Sequence, residues 1–339
     1  MHRSEITIDL GAVRANAGHL LAALDGAELW AVVKANGYGH GASDVAGAAL
    51  GAGSTALCVA TVPEGLELRE EHPTARIIVM SPPGSSREVA HARDAGLELV
   101  VSSGEIPEGV RVHLKLDTGM GRWGLSELPL PPVEVVGLMS HLATADSDSA
   151  FAEWQIERFR EATRAYSHLT RHIANSAAAL RYPSAHFDAA RCGIALYGIS
   201  PFGTDPVEDG LQPVLGWTSH LAQVRLLEAG FSTGYGRRFV AERPTWIGIV
   251  PVGYADGFRR DLTGTEVRVA GELRTVVGTV SMDAVAVELD RELPVGTPVT
   301  LIGHGVLVER HAEVAGTIGY ELVCGINSDP ARTRRVVLA

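Results

Sequence analysis

The sequence is poor in cysteine and in long apolar runs. Its 339 residues include three cysteines, Cys58, Cys192 and Cys324, which are odd in number and far apart. This spacing disfavours a disulfide framework and a thiolate metal site, so we expect ordinary buried thiols. The chain has no run of about 18 apolar residues, and its first residues become charged before any apolar run could act as a secretion signal. We therefore expect a cytoplasmic protein that does not enter a membrane.

Positive charge is also scarce. The formal net charge is -11, and no cluster of lysine and arginine stands out along the chain. A basic patch is the usual footprint of binding to nucleic acids and to membrane surfaces, so both partners are disfavoured. The partner class that remains is a small molecule.

The motifs of several common chemistries are missing. The sequence contains no G-x-x-x-x-G-K-[ST] phosphate loop, no G-x-S-x-G elbow and no H-E-x-x-H motif. His168 and His172 have the i, i+4 spacing of a helical metal pair, but a strand is predicted to begin between them and no carboxylate lies in the motif. The sequence therefore predicts no metal site.

Short β-rich runs recur roughly every 20 to 30 residues through the first two thirds of the chain, as in alternating strands and helices around a parallel sheet. Helical patterns with apolar steps of three and four lie among them, at residues 10–24 and 159–169. Eight such units close a TIM-like (β/α)8 barrel. The predicted strands are residues 29–33, 56–60, 76–80, 97–101, 110–116, 133–139, 171–174 and 187–191.

After Pro213 the pattern changes to alternating apolar and polar runs that are separated by glycine-rich turns. The preceding stretch, "GTDPVEDGLQPVLG", has the proline, glycine and charge of a connection between domains. A composition of 46% hydrophobic residues is sufficient for two cores. We therefore predict an α/β barrel in residues 10–211 and a C-terminal β-rich domain in residues 212–339.

Polar residues of varied type follow the predicted barrel strands. Because chemistry in such barrels lies at the carboxyl ends of the strands, we expect these side chains to line one site. They are Lys34, Lys115, Asp117, His141, Asn175, Ser176 and Arg191.

The stretch "AVVKANGYGHG" runs an apolar strand into Lys34 and then surrounds Tyr38 with glycines. A lysine in an apolar setting loses its proton more readily, so it can form a Schiff base or accept a proton. Tyr38 offers a hydroxyl beside backbone amides that Gly37, Gly39 and Gly41 leave accessible, which suits a phosphate group. The alternative is a lysine that only extends its amine from the strand end into water and has no catalytic role. An amine beside a phosphate cradle points to pyridoxal 5'-phosphate.

At these residues the sequence resembles the alanine racemases, a family of fold type III pyridoxal-phosphate enzymes. The resemblance implies a (β/α)8 barrel, a C-terminal β domain that residues 1–9 join, and a homodimer whose active sites are shared between subunits. It also implies racemisation of L-alanine and D-alanine, which supplies D-alanine for cell-wall peptidoglycan. Further blocks resemble the family, in the family's order from Ile8 to the region of Asn327: "HLKLDTGMGRWG", "SHLATAD", "IANSAA", "RCGIALYG", "TGYGRRF", "PVGYADG" and "VSMDAV".

The resemblance assigns roles to individual residues. Lys34 resembles the Schiff-base lysine, and Tyr235 resembles the second catalytic base. Arg191 resembles the arginine that meets the pyridine nitrogen, and His141 resembles the residue packed against the pyridine ring. The residues that resemble the phosphate shell, with Asn175 beside them, are Tyr38, Ser176, Gly193, Ile194 and Tyr320.

Further residues resemble the substrate pocket. Arg122 matches the partner of the substrate carboxylate, and Met282 and Asp283 match residues that the partner subunit adds. Lys115 matches a lysine that family members often carry in carbamylated form. An unmodified lysine beside Arg122 would repel it, whereas a carbamate would attract it.

These roles are chemically coherent. Inversion of an α-carbon needs a base on each side of the cofactor plane, and Lys34 and Tyr235 meet that need. A tyrosine with its usual pKa near 10 needs neighbours that stabilise phenolate, for which Arg191 and His172 are candidates. A guanidinium opposite the pyridine nitrogen would leave that nitrogen unprotonated, which weakens the electron sink and favours quick reprotonation of the α-carbon.

Three other functions stay open. A related barrel decarboxylase would place a carboxylate where Arg191 stands, and a non-catalytic pyridoxal-phosphate-binding barrel would lack the β domain and Tyr235. A racemase of serine, or of a wider set of amino acids, fits the same residues. The segment "CGINSDPARTRR" departs from the family's usual ending, which leaves substrate preference open.

Overall fold

The protein is described here by a computed structural model that covers residues 2–339 and forms two compact units. The first unit contains residues 11–202 and 206–212, and the second contains residues 2–10, 203–205 and 213–339. Strand β1 (Ser4–Asp9) lies in the second unit, and helix α1 (Leu10–Leu24) leads into the first.

The first unit is a parallel barrel. Its hydrogen-bonded strands follow the order β8-β7-β6-β5-β4-β3-β2-β9, and the Arg191 N–H donates to the Ala174 carbonyl at 3.0 Å where the last strand meets the end of β8. The predicted (β/α)8 barrel is confirmed. Within residues 2–339 its eight strands are β2 (Glu28–Val32), β3 (Ala56–Val59), β4 (Ile77–Val79), β5 (Glu98–Val101), β6 (Val112–Lys115), β7 (Val135–Met139), β8 (Thr170–His172) and β9 (Ala189–Cys192).

The helices of this unit are only partly those of a regular barrel. Besides α1 they are α2 (Lys34–Tyr38), α3 (Ala42–Gly51), α4 (Val62–Glu71), α5 (Ser86–Asp94), α6 (Ser149–Thr163) and α7 (Ser176–Arg181). In the described chain no helix separates β5 from β6 or β6 from β7, because the intervening segments are rich in glycine and proline. The helix expected over residues 159–169 ends at Thr163, whose hydroxyl bonds back to the Phe159 carbonyl at 2.8 Å.

The second unit is β-rich, as predicted, and its largest sheet follows the order β11-β14-β17-β16-β15-β18-β10-β1-β19. Strand β1 pairs antiparallel with β10 and parallel with β19. Its further elements are β10 (Leu215–His220), β11 (Gln223–Leu227), β12 (Ser232–Thr233), β13 (Phe239–Val240), β14 (Thr245–Val250), β15 (Glu266–Val269), β16 (Glu272–Val277), β17 (Val285–Leu289), β18 (Pro298–Ile302), α8 (Val308–Ala315), α9 (Gly319–Cys324) and β19 (Thr333–Leu338).

Two further expectations from the sequence concern the burial of the cysteines and the presence of a membrane-spanning helix. Cys58 and Cys192 are buried free thiols, as expected, whereas Cys324 is exposed because it ends α9 at the surface. No helix within residues 2–339 has both the length and the apolar character needed to cross a membrane.

Candidate functional site

Lys34 lies in an unusual backbone turn that follows strand β2. Ala35 and Asn36 have left-handed φ angles of 52° and 51°, which cost energy for residues that carry a side chain. Two side chains hold the turn: the Asn36 Oδ1 accepts a hydrogen bond from the Ala42 N–H at 3.0 Å, and the Glu64 Oε1 accepts one from the Ala35 N–H at 2.8 Å. The strain is thus sustained by specific bonds, and Lys34 stands at the carboxyl end of a barrel strand.

The glycines after Lys34 allow the backbone conformation of this turn. The expectation that their amides are accessible to a phosphate is wrong, because each amide already donates to a carbonyl within the turn. Gly39 and Gly41 instead adopt positive φ angles of 80° and 100°, which glycine accommodates more easily than other residues. The bonds run from Gly37 to Val33 (2.8 Å), from Gly39 to Ala35 (3.0 Å) and from Gly41 to Asn36 (2.9 Å).

A group of donors forms instead around Tyr38, Ser176 and Gly193. A Cβ at Gly193 would lie 2.6 Å from the Tyr38 hydroxyl, so the phenol can occupy this place only because residue 193 is glycine. The Ser176 Oγ accepts the Gly193 N–H at 3.0 Å and the Ala195 N–H at 3.3 Å, on either side of the buried Ile194. Hydroxyls and amides from α2, α7 and the end of β9 therefore meet at one place.

Asn175 has a structural task at the edge of this group. Its Oδ1 accepts the Ala178 N–H at 3.0 Å and caps the N-terminus of α7. The cap fixes the start of the helix, and with it the position of Ser176.

Arg191 on β9 is buried and bonded from several sides. Its Nη1 donates to the His172 Nδ1 at 2.7 Å and to the His172 carbonyl at 3.0 Å. Its Nη2 donates to the carbonyls of Ser140 (2.8 Å) and Ile173 (3.3 Å) and lies 3.2 Å from the His141 Nδ1. All five bonds, counted over residues 2–339, use Nη1 and Nη2, so the Nε–H is left as a donor. Burial lowers the pKa of Arg191 to about 10, and the guanidinium stays cationic at neutral pH.

The two histidines beside Arg191 are neutral. Burial and the charge of Arg191 hold the pKa of His172 and of His141 well below the usual range. His172 bonds Arg191 through Nδ1 and the ring of His113 through Nε2, at 2.9 Å. The expectation that His172 stabilises a phenolate at Tyr235 is therefore wrong, because both of its ring nitrogens are already bonded inside the barrel.

Lys115 is the last residue of β6 and is 4% exposed. Burial and the charges of Arg191 and Arg122 lower its pKa to about 8. The Lys115 Nζ lies 5.7 Å from the centre of the Trp123 ring, and the Arg122 guanidinium carbon lies 5.6 Å from it. The loop that carries Arg122 is shaped by Asp117, whose carboxylate accepts the backbone N–H groups of Gly119 and Gly121.

The remaining predicted residues lie in the second unit. Tyr235 begins a short 3-10 turn, its side chain is 71% exposed, and its carbonyl accepts the Thr279 hydroxyl at 2.9 Å. Met282 is 52% exposed in the loop that follows Thr279. Tyr320 is half-buried on α9. A single chain of the protein thus presents a phenol and a thioether on adjoining loops of its β unit.

The atypical C-terminal segment holds one of these loops. The Arg332 Nε donates to Asp256 at 2.7 Å, and its Nη2 donates to Asp283 at 2.7 Å. The Arg3 Nη2 donates to the Asp283 carbonyl at 2.8 Å. Asp283, which the resemblance assigns to a substrate pocket, is therefore ion-paired and fixed in place.

The structure gathers the predicted residues into two groups, one in each unit. Lys34 contributes through its charge to the lowered pKa of Lys115 and of His141, which places it electrostatically with the barrel group. Over the described residues no group of three or more histidine, cysteine, aspartate and glutamate side chains could hold a metal ion. The barrel group is Lys34, Tyr38, Lys115, Arg122, His141, Asn175, Ser176, Arg191, Gly193 and Ile194, and the second group is Tyr235, Met282, Asp283 and Tyr320.

Sequence reasoning missed supporting residues around this site. Gln155 on α6 donates to the His141 carbonyl at 3.2 Å, and Ser140 supplies a carbonyl to Arg191. Glu64 was detectable, since it stands three residues after Thr61 in a capping box, T-x-x-E. Gln155 and Ser140 carry no comparable local signal, because their partners are distant in sequence.

Known proteins resemble this chain over its whole length. Sequence models described as the N-terminal and C-terminal domains of alanine racemase match residues 8–201 and 214–336. The alanine racemase of Lactiplantibacillus plantarum is 38% identical, with 96% of each chain covered. The structure of the biosynthetic alanine racemase from Pseudomonas aeruginosa is 36% identical, with a TM-score of 0.91 and all of both chains covered.

Two further solved structures contain bound groups. Alanine racemase from Bartonella henselae, with covalently bound pyridoxal phosphate, is 27% identical, with a TM-score of 0.87 and 99% of each chain covered. Alanine racemase from Bacillus anthracis with bound L-Ala-P is 32% identical, with a TM-score of 0.87, 100% of this chain and 96% of that chain covered.

Proposed function

Because this chain belongs to the alanine racemase family, we propose that it is an isomerase that interconverts L-alanine and D-alanine with pyridoxal 5'-phosphate as cofactor. The observation that carries the proposal is the presence of both family domains in one chain, over residues 8–201 and 214–336. We divide the protein accordingly into a barrel of residues 10–211, which holds the cofactor, and a β domain of residues 212–339 with 1–9.

The side chains of the barrel fit this cofactor. Arg191 keeps an Nε–H donor for a ring nitrogen, because its other nitrogens are bonded to the protein. The hydroxyls of Tyr38 and Ser176 converge beside Gly193, whose N–H donates to the Ser176 Oγ and whose missing side chain leaves a space that a Cβ would fill. Donors of this kind suit a phosphate. Lys34 would hold the cofactor covalently through its Nζ, and His141 would pack against the pyridine ring. The phosphate end would be lined by Asn175, Ile194 and Tyr320.

The chemistry then follows from the positions of the protein's own groups. Bound at this site, pyridoxal phosphate would supply an electron sink that makes the α-hydrogen of an amino acid acidic. Lys34 Nζ would move a proton at one face of the α-carbon, and the hydroxyl of Tyr235 would move a proton at the opposite face. Arg122 would hold the substrate carboxylate, and Arg191, which is cationic at neutral pH, would keep a proton off the ring nitrogen.

We place the second base in the other subunit of a homodimer. The exposure of Tyr235 and Met282 on one chain supports this, because both side chains are available to a partner. Asp283 and Met282 would then shape the partner's substrate pocket. We propose as well that the protein is cytoplasmic, that it supplies D-alanine for peptidoglycan, and that Lys115 carries a carbamate.

A chiral assay tests the proposal directly. Purified protein with added pyridoxal phosphate is incubated with L-alanine, with D-alanine and with L-serine, and the enantiomers are separated by chromatography. We expect alanine to approach equal amounts of both enantiomers from either side, and Lys34→Ala to form no product. Faster inversion of serine would favour the serine racemase alternative. Bound cofactor without inversion of any amino acid would favour a non-catalytic binding protein.

A further inference from the structure

A row of hydrogen-bonded polar side chains runs through the barrel core, away from Arg191. The His172 Nε2 lies 2.9 Å from the His113 Nδ1, and the His113 Nε2 lies 2.8 Å from the Glu98 Oε2. With the 2.7 Å contact between Arg191 and His172, four side chains from four strands form one row. Arg191 and His172 lie toward the carboxyl ends of their strands, whereas Glu98 is the first residue of β5.

The two ends of the row fix the position of each proton within it. A guanidinium can only donate, so the His172 Nδ1 must accept, and its Nε2 must then carry the proton that it donates to His113. His113 accepts at Nδ1 in turn and donates from Nε2 to the carboxylate of Glu98. A proton added to either imidazole would place two N–H groups face to face. Both histidines are therefore held neutral in one tautomer.

Neighbouring residues leave space for the two imidazole rings of this row and pack against them. A Cβ at Gly137 would lie 2.2 Å from the His113 Nδ1, so glycine at this position of β7 makes room for the ring. Trp30 packs against both imidazoles, with ring centres 5.7 Å from His113 and 4.5 Å from His172. The two rings thus have little freedom to turn.

Glu98 is the charge that terminates the row. Its side chain is 3% exposed and is paired with Arg76 at 3.0 Å and with Arg111 at 3.2 Å. Burial disfavours its charged form, but hydrogen bonds from His113 and Arg76 outweigh this and lower the pKa of Glu98 to about 2. Within residues 2–339 Arg191 forms no ion pair with a carboxylate, and Glu98 is the negative charge to which this row of hydrogen bonds connects it.

We propose that Glu98 is a remote positioning residue for Arg191, and that its carboxylate acts through His113 and His172 to hold the guanidinium in place. Glu98 contacts no reacting atom. This role rests on the proposed function, since the position of Arg191 matters there for the ring nitrogen of the cofactor. Loss of the charge removes one of the two ends that fix the tautomers, and a change of tautomer at His172 then costs the Nη1 of Arg191 one of its two acceptors. A displaced Arg191 slows racemisation and raises the share of turnovers that end in transamination, in which alanine leaves as pyruvate and its amino group passes to pyridoxal phosphate, giving pyridoxamine phosphate.

Glu98→Gln and His113→Phe test the proposal, with Arg111→Gln as the matched control, because Arg111 is exposed and pairs with Glu98 away from His113. The first readout is nitrogen-15 NMR of histidine-labelled protein without cofactor, which reports the tautomer of each ring and does not depend on activity. We expect one tautomer for each ring in the unaltered protein and in Arg111→Gln, and a mixture at His113 in Glu98→Gln.

The second readout uses the protein loaded with pyridoxal phosphate. For Glu98→Gln and His113→Phe we expect racemisation to fall about tenfold, as for loss of a hydrogen bond to a charged group, with pyruvate formed per racemisation rising. A single tautomer in Glu98→Gln would overturn the proposal. The proposal would also be overturned if Glu98→Gln changed the tautomers but racemised alanine and formed pyruvate at the same rates as Arg111→Gln. If the unaltered protein does not racemise alanine, the proposed function fails while the NMR result still tests the row.

Discussion

Lys34 and Lys115 are the two lysines of the chain, although lysine and arginine together number 29. Both follow barrel strands, and the charge of Lys34 contributes to the lowered pKa of Lys115. An aldehyde cofactor at this site would therefore have two side-chain amines of the barrel group to react with. The scarcity of lysine is a signal at the residue scale that narrows the choice to Lys34 and Lys115 without any knowledge of the fold.

The first prediction concerns the residue that holds the cofactor. Borohydride reduction of the protein loaded with pyridoxal phosphate, followed by peptide mapping, should find the cofactor on Lys34, because Lys34 lies at the end of the strand whose turn leads to Tyr38. Lys115→Arg serves as the control and should label equally. A label on Lys115 in the unaltered protein would contradict the assignment.

The second prediction concerns Lys115 and pH. Its pKa of about 8 lies below that of an ordinary lysine, so a neutral amine that can react with carbon dioxide is present at pH 8 and above. Carbon-13 NMR after addition of labelled bicarbonate should show a carbamate carbon, and the signal should weaken as the pH falls below about 8, where the amine is protonated. Lys115→Arg should remove the signal. A signal that survives this substitution would place the carbamate elsewhere.

At the scale of elements, the turn from β2 into α2 explains why the short motif "AVVKANGYGHG" predicts the position of a functional lysine. Left-handed backbone at Ala35 and Asn36 is held by Glu64 and Asn36, so the motif encodes a shape as well as a lysine. The glycine pattern in the sequence marked the turn correctly, but it could not reveal that every glycine amide is already bonded.

The strands of the barrel were predictable to within two residues at each end, because apolar β-rich runs between breakers are a local signal. The row from Glu98 to Arg191 was not predictable, because it depends on which residues of four different strands face the barrel interior. His113 and Lys115 stand two residues apart on β6, and only the folded barrel shows that one faces Glu98 and the other the loop of Arg122.

The third prediction concerns the C-terminal segment. Arg332 binds Asp256 and Asp283, so Arg332→Gln should loosen the loop that carries Met282 and raise KM for alanine more than it lowers kcat. Arg334→Gln is the matched control, since Arg334 is exposed and pairs with Glu5 on β1. Steady-state kinetics of both variants provide the comparison. An equal KM in the two variants would show that the segment does not support the pocket.

At the scale of the whole molecule, the proposed chemistry needs residues from both the barrel and the β domain. The barrel holds Lys34, Arg191 and the cradle of Tyr38, whereas Tyr235 is presented, 71% exposed, by the other unit. The central claim is that two bases, one from each subunit, act on one substrate. Neither the composition nor the strand pattern contains this information, because it concerns an assembly and not a chain.

Complementation of two inactive variants tests this claim most directly. Lys34→Ala and Tyr235→Phe are each expected to be nearly inactive. They are unfolded, mixed in equal amounts and refolded, and the mixed dimers are verified by mass spectrometry. If sites are shared, each mixed dimer has one site with both bases, so roughly a quarter of all sites should recover racemisation. If Tyr235 serves its own subunit, every site lacks a base, and a verified mixture as inactive as its parents would contradict the account.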